Sequence, residues 1–99
     1  MELFRRFPAL EGKIPWVQLV DLPTPVQRLD HFSEKVGGNV WVKRDDLTSS
    51  VYGGNKPRKL EFLLAQAKSK GKSAVATGGG IGSNHCLATA IFGKQLGLK

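Results

Sequence analysis

The sequence predicts an α/β fold in which a parallel sheet is flanked by helices. Two observations carry this. From residue 39 onward, apolar spacing alternates in the order strand, helix, strand, helix. The glycines gather where strands should hand over to helices, at 53–54 and 78–82, with a further pair at 37–38. In open α/β sheets such junctions lie at the carboxyl ends of strands, where ligands bind.

Taken in order, residues 1–27 hold four of the five prolines, Pro8, Pro15, Pro23 and Pro25, and read as an extended arm. Leu22 to Val26 should be stiff and non-helical. Leu29 to Val36 reads as a short helix ended by Gly37-Gly38. We therefore divide the chain into an amino-terminal arm with a short helix, 1–38, and an incomplete α/β region, 39–99. Asn39 to Lys43 has strand composition, with Val40, Trp41 and Val42 adjacent. A helix is expected over 57–70, its apolar stripe formed by Leu60, Leu63, Leu64 and Ala67, and Gly71 suits its C-terminal cap. Ser73 to Thr77 reads as a short buried strand. A second helix runs from Ser83 to Gln95, with Leu87, Ala88, Ile91 and Phe92 as its stripe and Gly97 as its stop. A third strand should begin near Lys99, so the expectation is the amino-terminal piece of a longer protein.

Composition narrows the function classes. The 99 residues are 40% hydrophobic and 23% charged, with a formal net charge of +7. An anionic ligand, a nucleic acid or an anionic membrane could each answer that charge. No aromatic platform is interleaved with the lysine and arginine groups, which argues against nucleic acid. No run approaches the roughly 20 apolar residues of a membrane span. Cys86 is the single cysteine, so no disulfide can form within the chain, and a reducing, cytoplasmic setting is expected. Cys86, His31 and His85 have no metal-ligand spacing.

Two junctions carry candidate chemistry. The first is Gly53-Gly54-Asn55-Lys56-Pro57-Arg58-Lys59-Leu60. Pro57 suits a first helical position and pushes Lys56 out of the α region, to the helix entrance. Lys56 projects onto the apolar stripe, at the positive end of a helix dipole, beside Arg58 and Lys59. Desolvation and like charge there both favour a neutral amine, the form that attacks carbonyls. A lysine that simply snorkels outward from a helix start is the other reading. The second junction is the 78–82 glycine run followed by Ser83, Asn84 and His85. Gly80-Ile81-Gly82 begins a dinucleotide fingerprint, but His85 stands where its last glycine is required. Gly71-Lys72-Ser73 ends like a P-loop, but Gln66 replaces the needed glycine. Ser83 otherwise reads as a helix N-cap, Cys86 as a small buried hydrophobe, and Asp45 and Asp46 as turn residues.

Taken together, Trp41-Val42-Lys43-Arg44-Asp45-Asp46-Leu47, Gly53 to Leu63 and Ser83-Asn84-His85 resemble one known set. The chain resembles the 1-aminocyclopropane-1-carboxylate deaminase and D-cysteine desulfhydrase family over roughly residues 20–99. The resemblance implies a tryptophan-synthase-β-like fold (fold type II) and pyridoxal 5'-phosphate as cofactor. It implies that Lys56 holds the cofactor as a Schiff base and moves protons at the substrate carbon. Asn84 would bond the cofactor's ring oxygen, and Asn55 and Lys59 would lie near its phosphate. Ser83 would contact substrate or assist proton transfer, with Asn84 and His85 also on the substrate side. Pro57, where threonine or leucine is expected, is compatible with a helix start. Gly82 in place of glutamine, and Cys86-Leu87 in place of a more polar pair, bear on specificity. His85 in place of glutamine leans toward the desulfhydrase-like members.

The resemblance thus implies a lyase or deaminase acting on a small amino acid, releasing ammonia and a 2-oxo acid, and commonly homodimeric. The residues alone leave a second reading open, a non-covalent nucleotide- or anion-binding α/β module.

Overall fold

A computed structural model describes residues 1–99. Helix α1 (Glu2–Arg6) and a 3-10 turn (Pro8–Leu10) begin the arm. Strand β1 (Val26–Arg28), helix α2 (Asp30–Val36) and strand β2 (Trp41–Lys43) follow. A 3-10 turn (Asp45–Leu47) leads through a loop to helix α3 (Lys56–Ser69), and helix α4 (Asn84–Gln95) completes the order. None of the helices is long and apolar enough to cross a membrane.

The helices stop where glycine lets them. Gly37, at φ 67°, caps α2, and Gly71, at φ 65°, turns the chain after α3. Each conformation is left-handed and costs other residues a Cβ clash. Lys56 is itself the first residue of α3 and Asn55 its N-cap, one position earlier than proline placement suggests.

The core is formed by Leu60 and Leu64 of α3, Ala88 and Phe92 of α4, and Leu19 and Leu98 beside them. Val17, Tyr52 and Val75 pack against this cluster. Three stripe residues of the sequence reading lie outside it: Leu63 and Leu87 are each 52% exposed, and Ile91 is half-buried away from the cluster. The face of α3 that is buried includes a carboxylate instead. Glu61 is 3% exposed. Its Oε1 accepts from Leu19 N (2.9 Å) and Val20 N (3.1 Å), and its Oε2 from Trp16 Nε1 (3.0 Å). Its main-chain oxygen accepts from Val17 N at 3.1 Å. The arm is thereby stitched to α3 through four donors of residues 16–20, which apolar periodicity could not show.

The sheet differs from the expectation. β1 and β2 pair antiparallel, Val26 opposite Lys43, Gln27 opposite Val42 and Arg28 opposite Trp41. The chain reverses at Gly37, and Ser33 Oγ closes the return by accepting from Val40 N at 3.0 Å. Ser73–Thr77 lies outside regular strand structure and is mostly exposed rather than buried. Its main-chain partner is Lys99, whose N donates to Ser73 O (2.9 Å) and whose O accepts from Val75 N (2.8 Å). One residue bonded to both neighbours of its partner is the parallel-strand pattern.

The loop into α3 is held from within. Buried Thr48 donates through Oγ1 to Gly54 O (2.7 Å), and Gly54 N donates to Asp45 O (2.7 Å). A Cβ on Gly53 would lie 2.0 Å from Asp46 O, so that close approach demands glycine. Arg58 clasps Asp45 with Nε to Oδ2 (2.9 Å) and Nη2 to Oδ1 (2.8 Å), and reaches Thr24 Oγ1 at 3.1 Å. The guanidinium's hydrogen bonds hold the Asp45 carboxyl below its ordinary value, and Asp45 raises Arg58 in turn.

Glu61→Ala leaves three donors without an acceptor and should cost about 2–4 kcal/mol in urea unfolding followed by tryptophan fluorescence. Glu61→Gln, which keeps one carbonyl acceptor, should cost less. A loss under about 0.5 kcal/mol for the alanine variant would mean that the stitch is dispensable. The Asp45–Arg58 pair predicts a pH dependence. A lowered carboxylate stabilises fully above the ordinary carboxylate value, about 4, and loses that contribution as pH falls through the lowered one. The stability gap between the wild-type chain and Asp45→Asn should therefore narrow below about pH 4. A gap unchanged down to pH about 2 would remove the pair from the acid limb.

Candidate active site

Lys56 opens α3 and is half-buried. Its neighbours divide the work of the junction. Pro57 is buried, Arg58 is tied to Asp45 and Thr24, and Lys59 is exposed. The ammonium groups of Lys56 and Lys59 have no hydrogen-bond or ion-pair partner within the chain, and neither has the Asn55 side chain. Asn55 is the N-cap by position but makes no capping bond with its side chain. The first-turn N–H groups of α3 keep that end open to an acceptor.

Ser83 caps α4 as its sequence position suggests, its Oγ accepting from Cys86 N at 3.3 Å. The glycine run folds close over this cap. A Cβ on Gly79 would lie 2.7 Å from Ser83 Oγ and 2.9 Å from Cys86 Sγ. Gly82, at φ 81°, adopts the left-handed turn that admits Ser83. Asn84 is the first residue of α4 and is exposed. Its Oδ1 accepts from the Tyr52 hydroxyl at 3.0 Å. His85 is half-buried and its main-chain oxygen accepts from Thr89 Oγ1 at 2.7 Å.

The two junctions meet at one end of the molecule. Tyr52, four residues before Lys56, bonds Asn84 at the start of α4. At the other end Lys68 Nζ of α3 donates to Leu96 O at 2.9 Å, just beyond α4. With Leu60, Leu64, Ala88 and Phe92 packed between them, α3 and α4 run side by side in the same direction. Both positive helix ends therefore converge near Lys56 and Asn84. Sequence reasoning placed Asn55, Lys56, Lys59, Ser83, Asn84 and His85 at these two junctions, and the structure brings the junctions together. It missed Tyr52, the link between them, because one aromatic in a loop carries no periodic signal. A separate concavity of about 520 Å³ is lined by Met1, Glu2, Trp16, Lys43 and Arg58 among others, and includes neither Lys56 nor Asn84.

Comparison with known proteins gives this geometry its context. A protein of Thermotoga maritima, provisionally named 1-aminocyclopropane-1-carboxylate deaminase, is 57% identical over 77 residues, 78% of this chain and 25% of its own. A provisionally so-named protein of Pyrococcus horikoshii is 49% identical over 90 residues, 91% of this chain and 28% of its own. A D-cysteine desulfhydrase of Salmonella newport is 43% identical over 86 residues, 87% of this chain and 26% of its own. The chain thus spans about a quarter of the length of these curated relatives. The crystal structure of an ACC deaminase homologue superposes with a TM-score of 0.86 at 48% identity, over 92% of this chain and 28% of that one. The pyridoxal-phosphate dependent enzyme family model matches residues 17–99, and the chain belongs to that family.

Proposed function

We propose that the whole protein is a pyridoxal-phosphate-dependent lyase or deaminase of a small amino acid, D-cysteine or 1-aminocyclopropane-1-carboxylate. Water is consumed, and ammonia and a 2-oxo acid leave, with sulfide as well when the substrate is D-cysteine. The observation that carries this is the meeting of two helix starts, one bearing Lys56 and the other Ser83 and Asn84, bridged by Tyr52.

The donor set fits the cofactor. An aldehyde requires a primary amine, and Lys56 offers one with no partner in the chain. A phosphate requires N–H donors and cations, and the α3 start offers Asn55 and Lys59. A phenolate oxygen requires an N–H donor, and both hydrogens of Asn84 Nδ2 are unclaimed. When bound, pyridoxal phosphate supplies an electron sink for charge at the substrate α-carbon. Lys56 holds the group and carries a proton to or from that carbon. Ser83 contacts the substrate or assists that transfer, and His85 lies on the substrate side.

In this reading residues 39–99 form the incomplete cofactor-binding region and 1–38 its arm. The Ser73–Lys99 bonds support a parallel sheet flanked by helices. A cytoplasmic homodimer completes the proposal.

Borohydride reduction of the full-length protein purified with pyridoxal phosphate should leave a pyridoxyl adduct on Lys56, mapped by mass spectrometry. Lys56→Ala should abolish both the adduct and turnover. An adduct on another lysine, or none, would favour a non-covalent anion-binding module, which the same helix ends would also suit. Ser83→Ala should lower turnover by about 10²-fold while the cofactor stays bound. Unchanged turnover would remove Ser83 from the chemistry.

A further inference from the structure

Asn84 sits at the first position of α4 with its side chain exposed. An exposed amide can present either its oxygen or its nitrogen to a neighbour, and exchanges freely between rotamers. Here its oxygen is engaged. The Tyr52 hydroxyl donates to Oδ1 at 3.0 Å, and Nδ2 donates to nothing in the chain. Tyr52 is itself anchored, its ring half-buried against the cluster of Leu19, Leu60, Leu64, Ala88, Phe92 and Leu98. The hydroxyl is thus delivered from the shared core of α3 and α4. It lies on the loop that runs through Gly53 and Gly54 into Lys56.

We propose that Tyr52 is a positioning residue: its core-anchored hydroxyl holds the Asn84 carbonyl, so that the amide N–H groups are presented to an acceptor oxygen of the ligand at Lys56. The chemistry is selective. A flipped amide would turn Oδ1 toward an electron-rich ring oxygen, and the two would repel. With Tyr52 donating to Oδ1, the favourable orientation exists before the ligand arrives, and less rotational freedom is lost on binding. The bond also ties the loop before Lys56 to the start of α4, so the amine and the amide keep a common frame. This proposal rests on the cofactor reading given above.

The test is a double-mutant cycle on the full-length enzyme, read as the dissociation constant for pyridoxal phosphate from quenching of tryptophan fluorescence. Tyr52→Phe keeps the ring in the core and should leave the melting temperature unchanged. It should weaken cofactor binding about fivefold, the scale of one net hydrogen bond. Asn84→Ala should weaken binding at least as much. Adding Y52F to N84A should then change nothing further. An unchanged constant for Y52F alone would overturn the proposal. So would an equal loss in both backgrounds, which would assign Tyr52 to packing or to a ligand contact of its own. Borohydride mapping on the same samples separates the two readings. No adduct on Lys56 with the cycle still coupled sinks the covalent chemistry and keeps Tyr52. An adduct on Lys56 with an additive cycle does the reverse.

Discussion

One buried carboxylate governs how this chain is put together. Glu61 lies on the inner face of α3, where periodicity alone would place a leucine, and gathers the N–H groups of Trp16, Leu19 and Val20. A buried charge needs such donors, because an unpaired carboxylate in an apolar setting is costly. The donors need the carboxylate equally, since residues 16–20 belong to no helix or strand that could satisfy their main chain. With the arm fixed, Leu19 closes one side of the cluster that packs α3 on α4. Thr48, whose main-chain oxygen accepts from Asp21 N at 2.7 Å, passes that order on to the loop before Lys56.

The alignment of α3 and α4 follows from that core and has an electrostatic consequence. Parallel neighbours place like ends of two dipoles together, which is unfavourable unless an opposite charge answers them. At the distal end Lys68 supplies it, donating to Leu96 O beyond α4. At the proximal end neither helix has an acidic residue in its first turn, and Lys56 and Lys59 add positive charge instead. The arrangement is complementary to an anionic ligand, as expected of a family whose cofactor carries a phosphate.

Much of this was legible in the sequence, and the misses have a common cause. The three longer helices and their stops could be read because glycine at positive φ and apolar spacing are local signals. Ser83 as N-cap was legible for the same reason. Leu63 and Leu87 were misassigned because spacing identifies a stripe but not how much of its width the partner covers. The antiparallel pairing of β1 with β2, the Glu61 stitch and the Tyr52–Asn84 bond all join residues far apart in sequence. No local pattern encodes such partners. The site's chemical groups were therefore readable while the contacts that position them were not.

The same distinction explains why Lys56 stands out more in the structure than in the sequence. The acids nearest it in sequence are Asp45, Asp46 and Glu61, and any of them could neutralise an ammonium. Each is engaged elsewhere. Asp45 is clasped by Arg58, Asp46 by Arg44 through bonds of 2.7–3.2 Å, and Glu61 by the arm. Arg58, the cation best shaped to grip a phosphate in two places, is occupied by Asp45 and Thr24. Lys56 and Lys59 are left as the uncommitted cations of the junction, at the end of the molecule where two helices and the unclaimed Asn84 amide converge. Internal pairing has removed every competing partner from that end. What remains is an amine, a cation and an amide donor, each free to meet a ligand rather than the protein itself.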